Sequence, residues 1–323
     1  MSASKLKYGI ILFIIALLVS LIWVSGLLLD THAEKISQEM YHRDENGVID
    51  GLQSIAVLQD KKRALIFVHG FADSPASFAE LIDDIKHKVN SDIYAPLLPF
   101  HGRDLRTLSQ FNNKIILDDL DHTINTLAKK YQSLTVVGGS YGGALLTKLM
   151  TENKIPSNVH LILYAPGFFI QGNTYWGRTE VRLYRHWRLY CNYKILGCRH
   201  PGYQNGDATA APMFDKERSL QYVVLPAISQ LYQFDLENRD ALTHIRRPYS
   251  VIMAVDDNRI SYEQQKMACK LNQPYCHLYS FPSGKHIIHW GANKKKFESL
   301  LIKLVNKNGE IDRNAHQVEL PIN

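Results

Sequence analysis

The stretch that most limits what this chain can become is Leu134 to Leu149, LTVVGGSYGGALLTKL. Leu134 to Val137 are apolar or β-branched and suit a strand buried on both faces. Ala144 to Leu149 are largely good helix formers. Between them stands Gly138-Gly139-Ser140-Tyr141-Gly142-Gly143, so the chain must pass from strand to helix within a few residues, at a serine. Backbone crowds so closely at such a turn that little beyond glycine fits two residues to either side, and the serine hydroxyl is left exposed. Strand, glycine-flanked serine and helix therefore predict a nucleophile elbow at Ser140. The bland alternative is an ordinary serine in a glycine-rich turn, and the rest of the chain has to decide between them.

Short apolar runs and amphipathic stretches alternate around the elbow. Ala64 to Val68 is a continuous apolar run ending in His69-Gly70-Phe71. A helix is expected from about Pro75 to Val89, with Ser74 placed to cap it and Pro75 at its first position. Asp92 to Leu98 reads as a strand, followed by the loop Pro99-Phe100-His101-Gly102. Ile115, Ile116, Leu120, Ile124 and Leu127 form the stripe of an amphipathic helix between Asn112 and Tyr131. Further strands are expected at Val159–Ala165, Tyr249–Val255 and Cys276–Phe281, and further helices at Tyr262–Leu271 and Asn293–Val305. This alternation predicts an α/β fold with a mostly parallel sheet flanked by helices. Sites in such sheets lie at the carboxyl ends of the strands.

The pattern breaks from about Phe168 to Asp240. That insertion is dense in aromatics and carries Arg178, Arg182, Arg185 and Arg188 at helical spacing. A basic, aromatic helix of this kind can lie on a membrane surface or cover an apolar site, and a solvated arginine face is the plainer alternative. Within it, Leu220 to Leu236 reads as an apolar-patterned helix interrupted at Pro226.

A serine hydroxyl is a weak nucleophile until a base removes its proton, and the base needs a carboxylate to hold its tautomer. In elbow-type sites the order is serine, acid, histidine, each beyond a later strand. Ser140 is followed by Asp256-Asp257 after one strand and by His286 after the last. Asp257 is preferred over Asp256, because Asp257-Asn258-Arg259-Ile260 lets an apolar residue fold back beneath the turn. His289 is the second choice as base. His69 and His101 precede the serine, which leaves them packing and loop hydrogen bonding. Two backbone N–H groups should face the developing oxyanion, those of Tyr141 and Phe71.

Taken together, His69-Gly70-Phe71, Pro99-Phe100-His101-Gly102, Gly138 to Gly142, Asp257 to Ile260 and Gly284-Lys285-His286 resemble the α/β-hydrolase superfamily, in its monoacylglycerol lipase, lysophospholipase and carboxylesterase-like branch. The motifs span about residues 64–305. The resemblance implies an α/β-hydrolase fold with a cap matching the aromatic insertion. It also implies ester hydrolysis through an acyl-enzyme with no cofactor. One departure is Phe100, where that branch usually has glycine. The substrate expected is a lipid-like acyl ester such as a lysophospholipid or a monoacylglycerol. Amide or thioester cleavage by the same triad, or a non-catalytic binding role, are the alternatives. An epoxide hydrolase or dehalogenase is disfavoured, since those carry aspartate at the elbow.

The N-terminus is of another kind. Tyr8 to Leu29 holds no charge, and at about 1.5 Å per residue it reaches roughly 33 Å, enough to cross a bilayer's hydrocarbon core. Lys5 and Lys7 precede it and Asp30 follows, which puts the tip in the cytoplasm and the body across the membrane, most simply in a bacterial periplasm. A retained signal anchor is preferred. A cleavable signal peptide is the alternative, with Thr31-His32-Ala33 as a loose cleavage site, but its apolar region would be unusually long. The expected organisation is a tip and anchor at 1–30, a linker at 31–53, the hydrolase domain at 54–307 with its cap at about 168–240, and a polar tail at 308–323. Four cysteines, Cys191, Cys198, Cys269 and Cys276, fall in two pairs of equal spacing that match no zinc site and would permit two local disulfides in an oxidising compartment. A net charge of +6 without a nucleic-acid motif argues for no nucleic-acid partner and leaves a membrane surface as the anionic partner.

Overall fold

The computed structural model describes residues 3–192, 222–307 and 317–319. Its core is an eight-stranded sheet in the order β1-β3-β2-β4-β5-β8-β9-β10. These strands are β1 (Ile55–Val57), β2 (Arg63–Val68), β3 (Asp92–Ala95), β4 (Ser133–Gly139), β5 (Val159–Tyr164), β8 (Tyr249–Ala254), β9 (Cys276–Phe281) and β10 (Gln317–Glu319). β1 is antiparallel to β3 and every other pairing is parallel. The central strands read as unbroken apolar runs because helices cover both faces.

On one face pack α4 (Asn113–Lys130) and α5 (Tyr141–Thr151), with Ile116, Leu120, Leu145 and Leu149 fully buried. On the other lie α2 (Ala79–Ile85) and α9 (Lys294–Asn306). Asn112 caps α4 as its sequence suggests, accepting the N–H groups of Lys114 and Ile115. α8 (Tyr262–Leu271) is tied to β9 by the Cys269–Cys276 disulfide, with the two Cα atoms 5.2 Å apart. The other expected pair cannot be followed, because Cys198 lies outside the described residues.

Several elements differ from expectation. The helix expected over 75–89 is a 3-10 turn at Pro75–Phe78 that passes into the shorter α2. Ser74 makes no side-chain cap; Asp73 takes that part, accepting the Ser74 N–H and the Ser77 hydroxyl. β3 stops at Ala95 because Pro96 has no N–H for the ladder. A short α3 (Leu105–Ser109), capped by Asp104, fills the stretch before α4. Phe100 adopts φ +69°, a left-handed conformation that glycine takes freely and that costs another residue roughly 1–2 kcal/mol. Gln317–Glu319, within the stretch expected to be a polar tail, add a parallel strand to β9.

The insertion between β5 and β8 covers the carboxyl ends of the strands. Its described parts are α6 (Tyr175–Trp187), a two-stranded ribbon of β6 (Tyr190–Asn192) and β7 (Tyr222–Val224), and α7 (Leu225–Asn238). Pro226 does not interrupt a helix. It stands in the first turn of α7, where a missing N–H costs nothing. The buried Asp235 fastens the insertion to the sheet, accepting the N–H groups of Phe169 and Ile170 and the Asn173 amide.

Before the sheet runs α1 (Ala3–Met40), far longer than the apolar stretch alone. Among the described residues it is the one helix long and apolar enough to cross a membrane, with a mean hydropathy of 2.9 over its most apolar window. It continues through residues 31–40, so the first part of the expected linker is helical.

Candidate active site

Ser140 sits between β4 and α5 with φ +48° and ψ −119°, outside the conformations a serine normally prefers. The strain is held in place by backbone bonds on both sides. The Ser140 N–H donates to the Tyr164 carbonyl, and the Ser140 carbonyl accepts the Gly167 N–H at 2.7 Å. Glycine is demanded nearby for steric reasons. A Cβ on Gly138 would stand 2.5 Å from Leu146 Cδ1, and one on Gly142 2.4 Å from the Val68 carbonyl oxygen.

The three side chains singled out from sequence meet here. His286, on the loop after β9, has Nε2 3.0 Å from Ser140 Oγ. Its Nδ1 lies 2.9 Å from Asp257 Oδ2. Nδ1 thus donates to the carboxylate, which leaves Nε2 free to accept the serine proton. Asp257 leaves the end of β8, and its Oδ1 also accepts the N–H groups of Arg259 and Ile260. Burial opposes its ionised form. The His286 ring and those two N–H groups outweigh that and hold the carboxyl below the usual range. Asp256 is exposed and accepts the Lys285 N–H, which steadies the histidine loop from below. Ile260 folds back into the core and bridges to Ile170 at the foot of the cap.

The backbone donors expected for an oxyanion also border this point. Tyr141 opens α5, an eleven-residue helix whose N-terminus carries partial positive charge. The His69-Gly70-Phe71 turn presses against the serine, since a Cβ on Gly70 would lie 3.3 Å from Ser140 Cβ. His69 is fully buried, with Nδ1 bonded to the Gly70 carbonyl and Nε2 accepting the Leu98 N–H. Burial, aided by His101, pushes its pKa well below the ordinary value and keeps it a neutral brace. His101 bonds the Pro99 carbonyl, and burial lowers it to about 4. His289 does not reach Ser140. It stacks on Phe78 at 5.7 Å, and burial with the nearby His286 pushes it down to about 3.

Ser140, His286, Gly70 and Phe71 open onto one cleft, whose other walls include Asp73, Tyr164, His289 and Trp290. Sequence reading passed over Asp73 in particular. The signal available was its place two residues beyond Phe71, on the turn that faces the serine. Burial pushes its carboxyl up to about 7, against its hydrogen bonds to Ser74, Ser77 and Gly70. A carboxyl whose folded pKa is raised binds more protons folded than unfolded, so stability must fall as pH climbs from about 4 toward 7. Asp73→Asn, which copies the protonated form, is expected to melt with the wild type below about pH 4 and increasingly above it as pH rises to 8. The advantage should be on the order of 2–4 kcal/mol, read from melting curves across that range. A gap that does not widen with pH would mean the carboxyl is not enclosed.

Among the described residues no cluster of histidine, cysteine or acidic side chains could hold a metal ion. The parallel sheet, the strained serine between strand and helix, and a histidine and an aspartate from later strand ends define the α/β-hydrolase class. The chain belongs to the alpha/beta hydrolase family, whose sequence profile matches residues 65–297. No curated protein sequence matches it. Among solved structures it is similar to the metagenome-derived lipolytic enzymes LipS and LipT, with TM-score 0.65 and 14% identity over 80% of this chain and 99% of that one. A monoacylglycerol lipase from Paleococcus ferrophilus gives 0.62 and 12% identity, over 80% and 99% of the two chains. A monoglyceride lipase from Saccharomyces cerevisiae gives 0.63 and 13%, over 79% and 90%. At such identities the likeness is one of fold.

Proposed function

We propose that this protein is a membrane-anchored serine hydrolase that cleaves lipid-like carboxylic esters, of the lysophospholipid or monoacylglycerol kind. The observation that carries the reading is the chain of contacts from Ser140 Oγ through His286 to Asp257. Ser140 attacks the ester carbonyl while His286 Nε2 takes its proton. Asp257 keeps the ring oriented and balances the imidazolium that forms. The Phe71 and Tyr141 N–H groups receive the oxyanion, each worth about 2.7–4 kcal/mol in enzymes of this kind. The alcohol departs with the proton from His286. Water, activated by the same ring, then releases the acid from the acyl-enzyme.

The lipid character rests on the apolar α1 and on the aromatic cap beside the cleft, and it accords with the lipases among the similar folds. Lys5 and Lys7 before the apolar span favour a non-cytoplasmic, periplasmic catalytic domain, as does the Cys269–Cys276 disulfide.

The test uses the full chain in detergent micelles, with p-nitrophenyl esters from acetyl to palmitoyl, monoacylglycerols, lysophospholipids, thioesters and peptide anilides. Esters should be the best substrates, with turnover rising toward longer acyl chains. A chain that cleaves only amides would be a peptidase-like relative, and one inert to all of them a binding protein. A phosphatase reporter fused after Asn323 should be active in a bacterial host, and an inactive one would reverse the sidedness.

A further inference from the structure

The cap and the anchor touch at a point that has a consequence for where the substrate comes from. Gly26, inside the apolar part of α1, abuts Trp187, the last residue of α6. Trp187 Nε1 donates to the Ile22 carbonyl at 2.6 Å. Just above, Asp30 accepts the N–H groups of Leu189 at 2.7 Å and Tyr190 at 3.1 Å, and Glu34 accepts the Tyr190 hydroxyl. The anchor is thus bonded to the cap over about three helical turns, and the lowest bond falls roughly 12 Å below Asp30 along the helix. If α1 spans a bilayer up to Leu29, Trp187 is below the membrane surface.

At 100° per residue, α6 presents three faces. Gly177, Val181 and Tyr184 lie on one side, where Val181 and Tyr184 pack into a cluster that includes Phe71. Trp176, Leu183 and Trp187 fall within about 40° of one line, roughly 100° from the first. Along that line Trp176 and Leu183 are 77% and 67% exposed, although they continue the line whose last member is seated on the anchor. The third face, on the other side of this stripe, carries the exposed Tyr175, Arg182 and His186. An apolar stripe beside a transmembrane helix, rimmed by an aromatic and basic edge, is the composition of a segment that lies in a membrane interface.

We propose that α1 and α6 form one membrane-embedded unit, in which Trp176, Leu183 and Trp187 lie in the outer leaflet and Arg182 faces anionic phospholipid headgroups. This rests on the anchored reading of α1. Because the adjoining face of the same helix, about 100° round from the stripe, packs toward Phe71, no more than one helix thickness, about 10 Å, separates the leaflet from the wall of the cleft. The substrate class this favours is an ester already resident in the bilayer.

The experiment is tryptophan quenching in full-length protein reconstituted into vesicles of lipids brominated on the acyl chains. Comparing wild type with W23F isolates the emission of Trp23 in α1, and comparing it with W176F isolates that of Trp176 in the cap. Loss of both emissions supports the proposal. Quenching of Trp23 with Trp176 untouched overturns it while leaving the anchor intact. Quenching of neither removes the anchor reading and the proposal together. In a second arm, energy transfer from Trp176 to dansyl-phosphatidylglycerol should exceed that to dansyl-phosphatidylcholine by about five-fold at equal mole fraction, the enrichment expected for one arginine near the surface, and R182E should abolish the difference. Equal transfer to the two lipids in wild type would overturn the headgroup assignment.

Discussion

Replacing Ser140 by alanine is expected to lower kcat for acyl esters by about 10⁴- to 10⁶-fold, the range seen when a triad nucleophile is removed. Stability should hardly move, because alanine meets the same φ of +48° as serine and gives up one hydrogen bond to His286, worth about 1 kcal/mol. Ser140→Gly makes a sharper companion. It removes the hydroxyl and the same hydrogen bond, but glycine enters this conformation freely, so the variant should be equally inactive and about 1–2 kcal/mol more stable than Ser140→Ala. Ester turnover and melting curves on the three proteins read both effects. Retained activity in Ser140→Ala would end the assignment of Ser140 as nucleophile. A Ser140→Gly melting point no higher than that of Ser140→Ala would instead show that the turn is not strained. The same assay separates the neighbouring aspartates. Asp257→Asn should cost about 10⁴-fold by upsetting the histidine tautomer, and Asp256→Asn far less, since its carboxylate supports only the Lys285 N–H.

The second large effect belongs to Gly142. A methyl group there would stand 2.4 Å from the Val68 carbonyl oxygen and 2.6 Å from that of His69. Neither can retreat cheaply. Both are backbone atoms at the end of β2, and Val68 is paired in the ladder with Gly138. Gly142→Ala should therefore cost about 3 kcal/mol or more, at or above the upper end for overpacking a tight site. It should also push the His69-Gly70-Phe71 turn away from Ser140 and remove activity in whatever fraction still folds. Gly143→Ala is the control, because its nearest contacts, at 3.0–3.1 Å, are tight without being prohibitive. Chemical denaturation of both variants checks the contrast. A Gly142→Ala protein as stable as wild type would mean that the close approach of β2 to the elbow is wrong.

The sequence specified the meeting of Ser140, His286 and Asp257 further than it specified their surroundings. Strand, glycines, serine and helix all fall within sixteen consecutive residues, Leu134 to Leu149, so local sterics are enough to specify the elbow. Asp257 and His286 were legible for a related reason. A parallel sheet puts every strand's carboxyl end on one side, so chain order alone assembles residues far apart in sequence. The choice of Asp257 over Asp256 also followed from a local pattern, Ile260 turning back into the core. Asp73 was missed because nothing near it in sequence shows that Tyr164 and His289 will enclose its side of the cleft. Pro226 was misplaced because the same residue that breaks a helix interior is well suited to a helix start.

What the sequence determined by itself is what repeats locally: which runs are strands or helices, where the backbone must be glycine, and the order of serine, acid and base. Periodicity says that a face is covered but not by what. Only the tertiary structure decided that Trp187 of α6 lies on Gly26 and Ile22 of α1, 165 residues away from the latter, and that Asp30 holds the chain beyond it. The physical reason is that such contacts are set by the shapes of two distant surfaces, and neither segment's own pattern carries the identity of its partner.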